Sequence, residues 1–117
     1  MDARSERGAG GEDAAAAWYA ARDFHVLARN WRCRAGEIDL VVERGPLLVI
    51  CEVKTRRGGA FGSGFEAVGW EKQRKLRQLG ELFLAHAGRS PAAVRFDVAS
   101  VAAGRRGWDV QIFEDAF

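Results

Sequence analysis

Proline and cysteine are nearly absent, with two of each in 117 residues. Cys33 and Cys51 show no CxxC spacing and no histidine-rich surroundings, which argues against a zinc site and leaves a disulfide between them open. Two unpatterned cysteines fit a reducing compartment, and Cys51, inside an apolar run, reads as a small core residue. Histidine is equally scarce; His25 and His86 have no company that resembles a triad or a metal cage. Long hydrophobic runs are missing. The stretch AAAAWYAA (14–21) falls far short of the ~20 residues that span a bilayer, and MDARSERGAGGED at the start has no apolar signal core. A cytoplasmic protein with no membrane partner is therefore expected. Nor is there a nucleotide loop: RRGGAFGSG (56–64) lacks the G-K-[ST] ending of a P-loop and reads as a mobile loop.

What is present is an ordinary globular composition, 48% apolar and 29% charged, in a length that favours one domain over residues 1–117. The first ten residues are glycine-rich and charged, and are expected to fray. Glu12–Arg22 is rich in helix formers. FHVLARNW (24–31) and EIDLVVE (37–43) read as two strands, the second with Ile38, Leu40 and Val42 on one face. RGP marks a turn, and LLVICEVKTRR (47–57) gives a third strand. A helix over 70–88 buries Leu76, Leu79, Phe83 and Ala87, with Gly88 as its cap and Pro91 beyond as a stop. AAVRFDVASV (92–101) and WDVQIFE (108–114) complete an α/β fold, a mixed sheet of about five strands flanked by helices.

The third strand carries a conflict. Leu47 to Cys51 read as buried on both faces, like a central strand, yet Glu52 and Lys54 follow on one face. Pairing Glu43 with Leu48 across a short loop sets a register that brings Asp39 opposite Glu52. Two carboxylates that close repel each other and call for a compensating cation. Lys54 offers one charge, and Mg²⁺ favours one or two carboxylates with waters and phosphate oxygens. That set suits metal-assisted phosphodiester hydrolysis, with Lys54 orienting or deprotonating water or stabilising transition-state charge. The plain alternative is that E-x-K is a cross-strand charge pair.

Positive charge is concentrated just beyond. From Lys54 to Arg77 there are seven Lys or Arg against two acids, Glu66 and Glu71, in a chain of net charge +2. Arg56, Arg57, Lys72, Arg74, Lys75 and Arg77 are candidate phosphate contacts; the plain reading is a solvated helix face. Trp70 is expected as a core or capping aromatic, with stacking on an unpaired base as the alternative.

The D…ExK pattern resembles the PD-(D/E)xK nuclease superfamily, which has the restriction-endonuclease-like fold. Within it the chain is more similar to a bacterial family of YraN-like proteins. The residues that carry the likeness are Gly8, Gly11-Glu12, Ala15, Arg29-Asn30, Gly36-Glu37-Ile38-Asp39-Leu40, Glu52-Val53-Lys54-Thr55-Arg56, Gly62, Ala67-Val68, Lys72, Arg95-Phe96-Asp97 and Ala116-Phe117. Asp23, Cys51 and Gly64 depart from it, where glycine, valine and proline are usual.

The resemblance implies that Asp39 and Glu52 are metal ligands for Mg²⁺ or Mn²⁺, with the Val53 carbonyl as a third, and that Lys54 is the catalytic lysine. Glu12 matches a first-helix glutamate that helps hold metal or water in resolvase-like members; by itself it reads as a helical surface acid. Glu37, two residues before Asp39, is a spare ligand candidate whose plain reading is a strand-edge charge. Likeness to Holliday-junction resolvases points to branched DNA and a homodimer. The expectation is a Mg-dependent endonuclease. A non-cleaving nucleic-acid-binding module, and an interaction protein of DNA-processing machinery, remain the alternatives.

Overall fold

Short turns between β-branched runs set the architecture. The structure, a computed structural model, describes the backbone of residues 3–56 and 68–117 and the side chains of residues 10–56 and 68–117. Helix α1 (Ala3–Ala20) leads into strands β1 (His25–Cys33), β2 (Gly36–Arg44) and β3 (Leu47–Arg56), followed by helix α2 (Trp70–Ala87) and strands β4 (Ala93–Gly104) and β5 (Gly107–Phe113). The sheet order is β1-β2-β3-β4-β5. Only β3 and β4 run parallel, the pair that α2 connects; a parallel pair needs such a crossover. The expected mixed sheet with flanking helices is thus what the chain forms. Most of the glycine-rich stretch expected as a loop lies outside the described residues.

The β2–β3 turn sets the register. Gly45 takes φ 56°, the left-handed conformation that a tight hairpin needs and glycine adopts without strain. Glu43 pairs with Leu48, as expected, and Arg44↔Leu47 closes the ladder around Gly45-Pro46.

Each face of the sheet carries one helix. Ala15 and Tyr19 of α1 pack with Leu40, Val42, Val49, Cys51, Ala99 and Val101. Leu76, Leu79 and Phe83 of α2 pack with Ile38, Val41, Leu48, Ile50 and Phe96 on the other side. The central strand β3 is therefore covered twice, and Leu48 to Glu52 are all buried. Gly80 permits this closeness: a Cβ there would come within 2.6 Å of Ile50 Cδ1.

Four expectations need correction. Helix α1 starts at Ala3, well before Glu12, and its Gly11 is a point of close approach to the sheet: a Cβ on it would lie 2.5 Å from Thr55 Oγ1. Ala87 is exposed, since no α2 residue beyond Leu84 joins the core cluster. Ile38 does not share a face with Leu40 and Val42 but packs on the α2 side. Trp70 is neither core nor cap: it stands 70% exposed at the start of α2, where Gly69 holds the N-cap position.

Candidate active site

The face switch in β2 has a local cause. Along β1 and β2 the pairs Arg29↔Leu40 and Trp31↔Ile38 are formed, and Asn30 and Asp39 fall between them. Asn30 takes φ 51°, a conformation that asparagine tolerates better than most residues. It sends the Asn30 amide to α1, where Nδ2 donates to Glu12 Oε2 at 2.7 Å, while Trp31 turns to α2 and meets Phe83 edge-on.

On the other side of β2, the ladder with β3 ends at Leu40↔Cys51. By count Asp39 comes next to Glu52, as the register predicts, but backbone pairing stops one step earlier. The Val53 N–H donates instead to Asp39 Oδ2 at 2.8 Å. The carboxylate of Asp39 thus fills the fork where β2 and β3 cease to pair.

Glu52 projects from β3 toward the α2 side and is buried. Lys54 Nζ lies 3.6 Å and Lys72 Nζ 3.5 Å from the same oxygen, Oε1. Both separations exceed the ~2.7–2.9 Å of a charge-assisted hydrogen bond, so the two ammonium groups flank Glu52 loosely. Burial above all, and then the charge of Glu52, push the Asp39 carboxyl up to about 7, against the lowering effect of the Val53 N–H; Glu12 and Glu37 add smaller upward pushes. Asp39 therefore feels three other acids around the fork. Glu12 is half-buried at its rim, and Glu37 is occupied by Arg32 at 3.3 Å. Among the described residues no three His, Cys, Asp or Glu side chains are placed to hold one ion. A cation at the fork would thus take at most two such side chains, the number that Mg²⁺ accepts while keeping waters.

The sequence matches the model of the uncharacterised protein family UPF0102 over residues 11–101. The chain belongs to that family. Its relatives include a UPF0102 protein of Parafrankia sp. (strain EAN1pec), 50% identical over 97 residues that cover 83% of this chain and 82% of the relative. One from Streptomyces griseus subsp. griseus is 49% identical over 108 residues, covering 92% and 91%. One from Symbiobacterium thermophilum is 48% identical over 100 residues, covering 86% and 85%. The expected resemblance to the YraN-like family is borne out. The matched segment of this UPF0102 chain holds Glu12, Asp39, Glu52, Val53 and Lys54.

Among the described residues the basic side chains of the UPF0102 chain do not form one patch. Lys72 alone among those of α2 reaches the fork. Arg74 and Lys75 line a shallow groove with Glu71 and Gln78 on the outer surface of the helix. Arg77 turns the other way, with its guanidinium 5.0 Å from the Phe96 ring centre and 5.9 Å from that of Phe117. Arg56 ends β3, two residues beyond Lys54, and Arg57 lies outside the described residues. Among the described residues no helix is long and apolar enough to cross a membrane.

Two groups escaped the sequence reading. Ser100 lies beside Lys54 in the parallel β3–β4 register, fully buried, with no hydrogen-bond partner for its hydroxyl among the described residues. Asp97, also fully buried, accepts from Tyr19 Oη at 2.6 Å, Arg95 Nε at 2.8 Å and the Asp115 N–H at 3.0 Å. It ties α1, β4 and the segment after β5 together. Burial, with Cys51 and Asp97 nearby, raises the Tyr19 hydroxyl far above its usual range, so it stays a donor. The signal was an acid flanked by apolar residues in RFDV, since a buried carboxylate demands donors.

Proposed function

We propose that this chain is a metal-dependent nuclease that hydrolyses phosphodiester bonds in DNA, with branched DNA as the class that the resemblance favours. The observation that carries the reading is the fork. Asp39 is fixed by the Val53 N–H, in reach of the charge of Glu52, and Lys54 stands 3.6 Å from Glu52 on the same strand face.

The donors fit a hard divalent cation. Asp39, Glu52 and the Val53 carbonyl offer oxygen only, and the Asp39 carboxyl is raised to about 7 by burial first and by the charge of Glu52 second. Mg²⁺ or Mn²⁺ held there would supply Lewis acidity and a water of lowered pKa. The protein's part is positional. The Val53 N–H fixes one oxygen of Asp39. Glu52, at the buried end of a central strand, is held where its strand holds it. Lys54 would orient the attacking water and offset charge on the phosphoryl oxygens as the water oxygen bonds to phosphorus, the P–O bond to the leaving sugar oxygen breaks, and that oxygen takes up a proton from solvent. Glu12, held by Asn30, is placed to orient a water at the rim. Arg56 and Lys72 are suited to neutralise flanking phosphates. A symmetric homodimer is part of the proposal through the junction-resolvase resemblance alone.

The second reading, a non-cleaving nucleic-acid module, is favoured by one observation: Lys72 shares Glu52 with Lys54, so the buried acid already has two cations. The test is cleavage of four-way-junction and linear duplex DNA with Mg²⁺ or Mn²⁺. Asp39→Ala and Lys54→Ala should each lower turnover by ~10²-fold or more while DNA binding survives. Equal cleavage by parent and variants ends the enzyme reading.

A further inference from the structure

Among the described residues Trp70 is the most exposed large apolar side chain, at 70%. It opens α2, two residues before Lys72, whose ammonium sits 3.5 Å from Glu52. Arg74, one turn on, holds its guanidinium 5.7 Å from the indole ring centre, and Lys75 lies beside it on the exposed side of the helix. Among the described residues the groove beside this tryptophan carries two cations, Arg74 and Lys75, against one acid, Glu71. The other exposed large apolar residue of the helix, Leu82, lies about 18 Å along the axis at the usual rise per residue. An apolar protein partner would need a continuous patch around its aromatic anchor, and among the described residues that patch is missing. A flat ring flanked by cations, one turn from a phosphate-chemistry site, matches a nucleobase with its own phosphates.

We propose that Trp70, backed by Arg74, is a stacking platform for an unpaired nucleobase, with Lys75 contacting the adjoining phosphate and the strand running past Lys72 to the fork. This rests on the nuclease reading and narrows its substrate: the scissile phosphate lies next to an unpaired nucleotide, as at a gap, flap or open junction. In continuous duplex the bases are stacked on one another and give the indole nothing to cover.

The test is binding without metal, so that cleavage does not intervene. The probes are a duplex with a short single-stranded gap carrying 2-aminopurine and the same duplex fully paired. Wild type should quench the unpaired 2-aminopurine and bind the gapped probe about tenfold more tightly than the paired one. Trp70→Ala should lose that advantage and the quenching, with its fold checked by circular dichroism; Trp70→Phe should keep most of both. Trp70→Ala binding both probes as wild type does would overturn the platform, even if Asp39→Ala still abolished cleavage. If no cleavage is found with any metal but the gap preference disappears in Trp70→Ala, the platform stands and the nuclease reading alone fails.

Discussion

Asp39 Oδ2 lies 2.8 Å from the backbone nitrogen of Val53, so the side chain of one strand takes the hydrogen bond that backbone pairing would otherwise supply. The backbone donor is satisfied and a carboxylate is anchored next to Glu52, whose charge opposes its ionisation.

The price is a pH dependence of stability. Unfolded, the Asp39 carboxyl ionises near 3.8; folded, it holds its proton up to about 7. Between those values the folded state carries a proton that the unfolded state has released. The contribution of this group therefore falls as pH rises from about 4 to about 7 and stays low above. Asp39→Asn keeps an acceptor for Val53 and removes the titration. At pH 8 the variant should exceed the parent in urea-unfolding free energy by at least ~1.4 kcal/mol, the worth of one pKa unit, and the gap should shrink at pH 4. A pH-independent difference would count against the raised Asp39 carboxyl.

Lys72 Nζ lies 3.5 Å from Glu52 Oε1, where the proposed metal would have to displace or share it. Lys72→Met removes one of the two ammonium groups there, so Mn²⁺ affinity measured by calorimetry should rise ~3- to 10-fold, about 0.7–1.4 kcal/mol. Weaker binding would mean that Lys72 does not oppose the metal.

Asp97 is a buried acid with donors from three parts of the chain. Tyr19→Phe removes one donor and should cost ~1.5–3 kcal/mol. Asp97→Ala leaves Arg95 without its main partner and should cost ~3–5 kcal/mol. Denaturant unfolding measures both; a loss below 1 kcal/mol for Asp97→Ala, roughly that of a surface change, would show the network to be dispensable.

Ser100 presents the opposite case. Its buried hydroxyl has no partner among the described residues, a state that costs ~1–3 kcal/mol. Ser100→Ala should therefore be neutral or raise the unfolding free energy by ~1 kcal/mol. A clear loss of stability would show that the hydroxyl is satisfied in solution.

Much of this was legible from residues alone. The Gly45-Pro46 turn set the Glu43↔Leu48 pairing, and alternation put Glu52 and Lys54 on one face, because turn geometry and strand period are local properties. Alternation misplaced Ile38, because a left-handed Asn30 on the neighbouring strand breaks the period of both strands at once. It could not show that Trp70 stays in water, since a helix-opening tryptophan has the same sequence signature whether or not something covers it. Nor could it find Tyr19 as a donor to Asp97, for the two are 78 positions apart.

Element order, the hairpin register and the acid–lysine pair of β3 were thus written in the chain, each governed by neighbours within a few residues. What the tertiary structure decided was which charges meet. Asp39 enters the fork, Lys72 reaches Glu52 from the helix above, and Asp97 gathers three segments. Those encounters depend on where strands stop pairing and how closely helices approach the sheet. Both follow from packing across the whole fold rather than from any local run of residues.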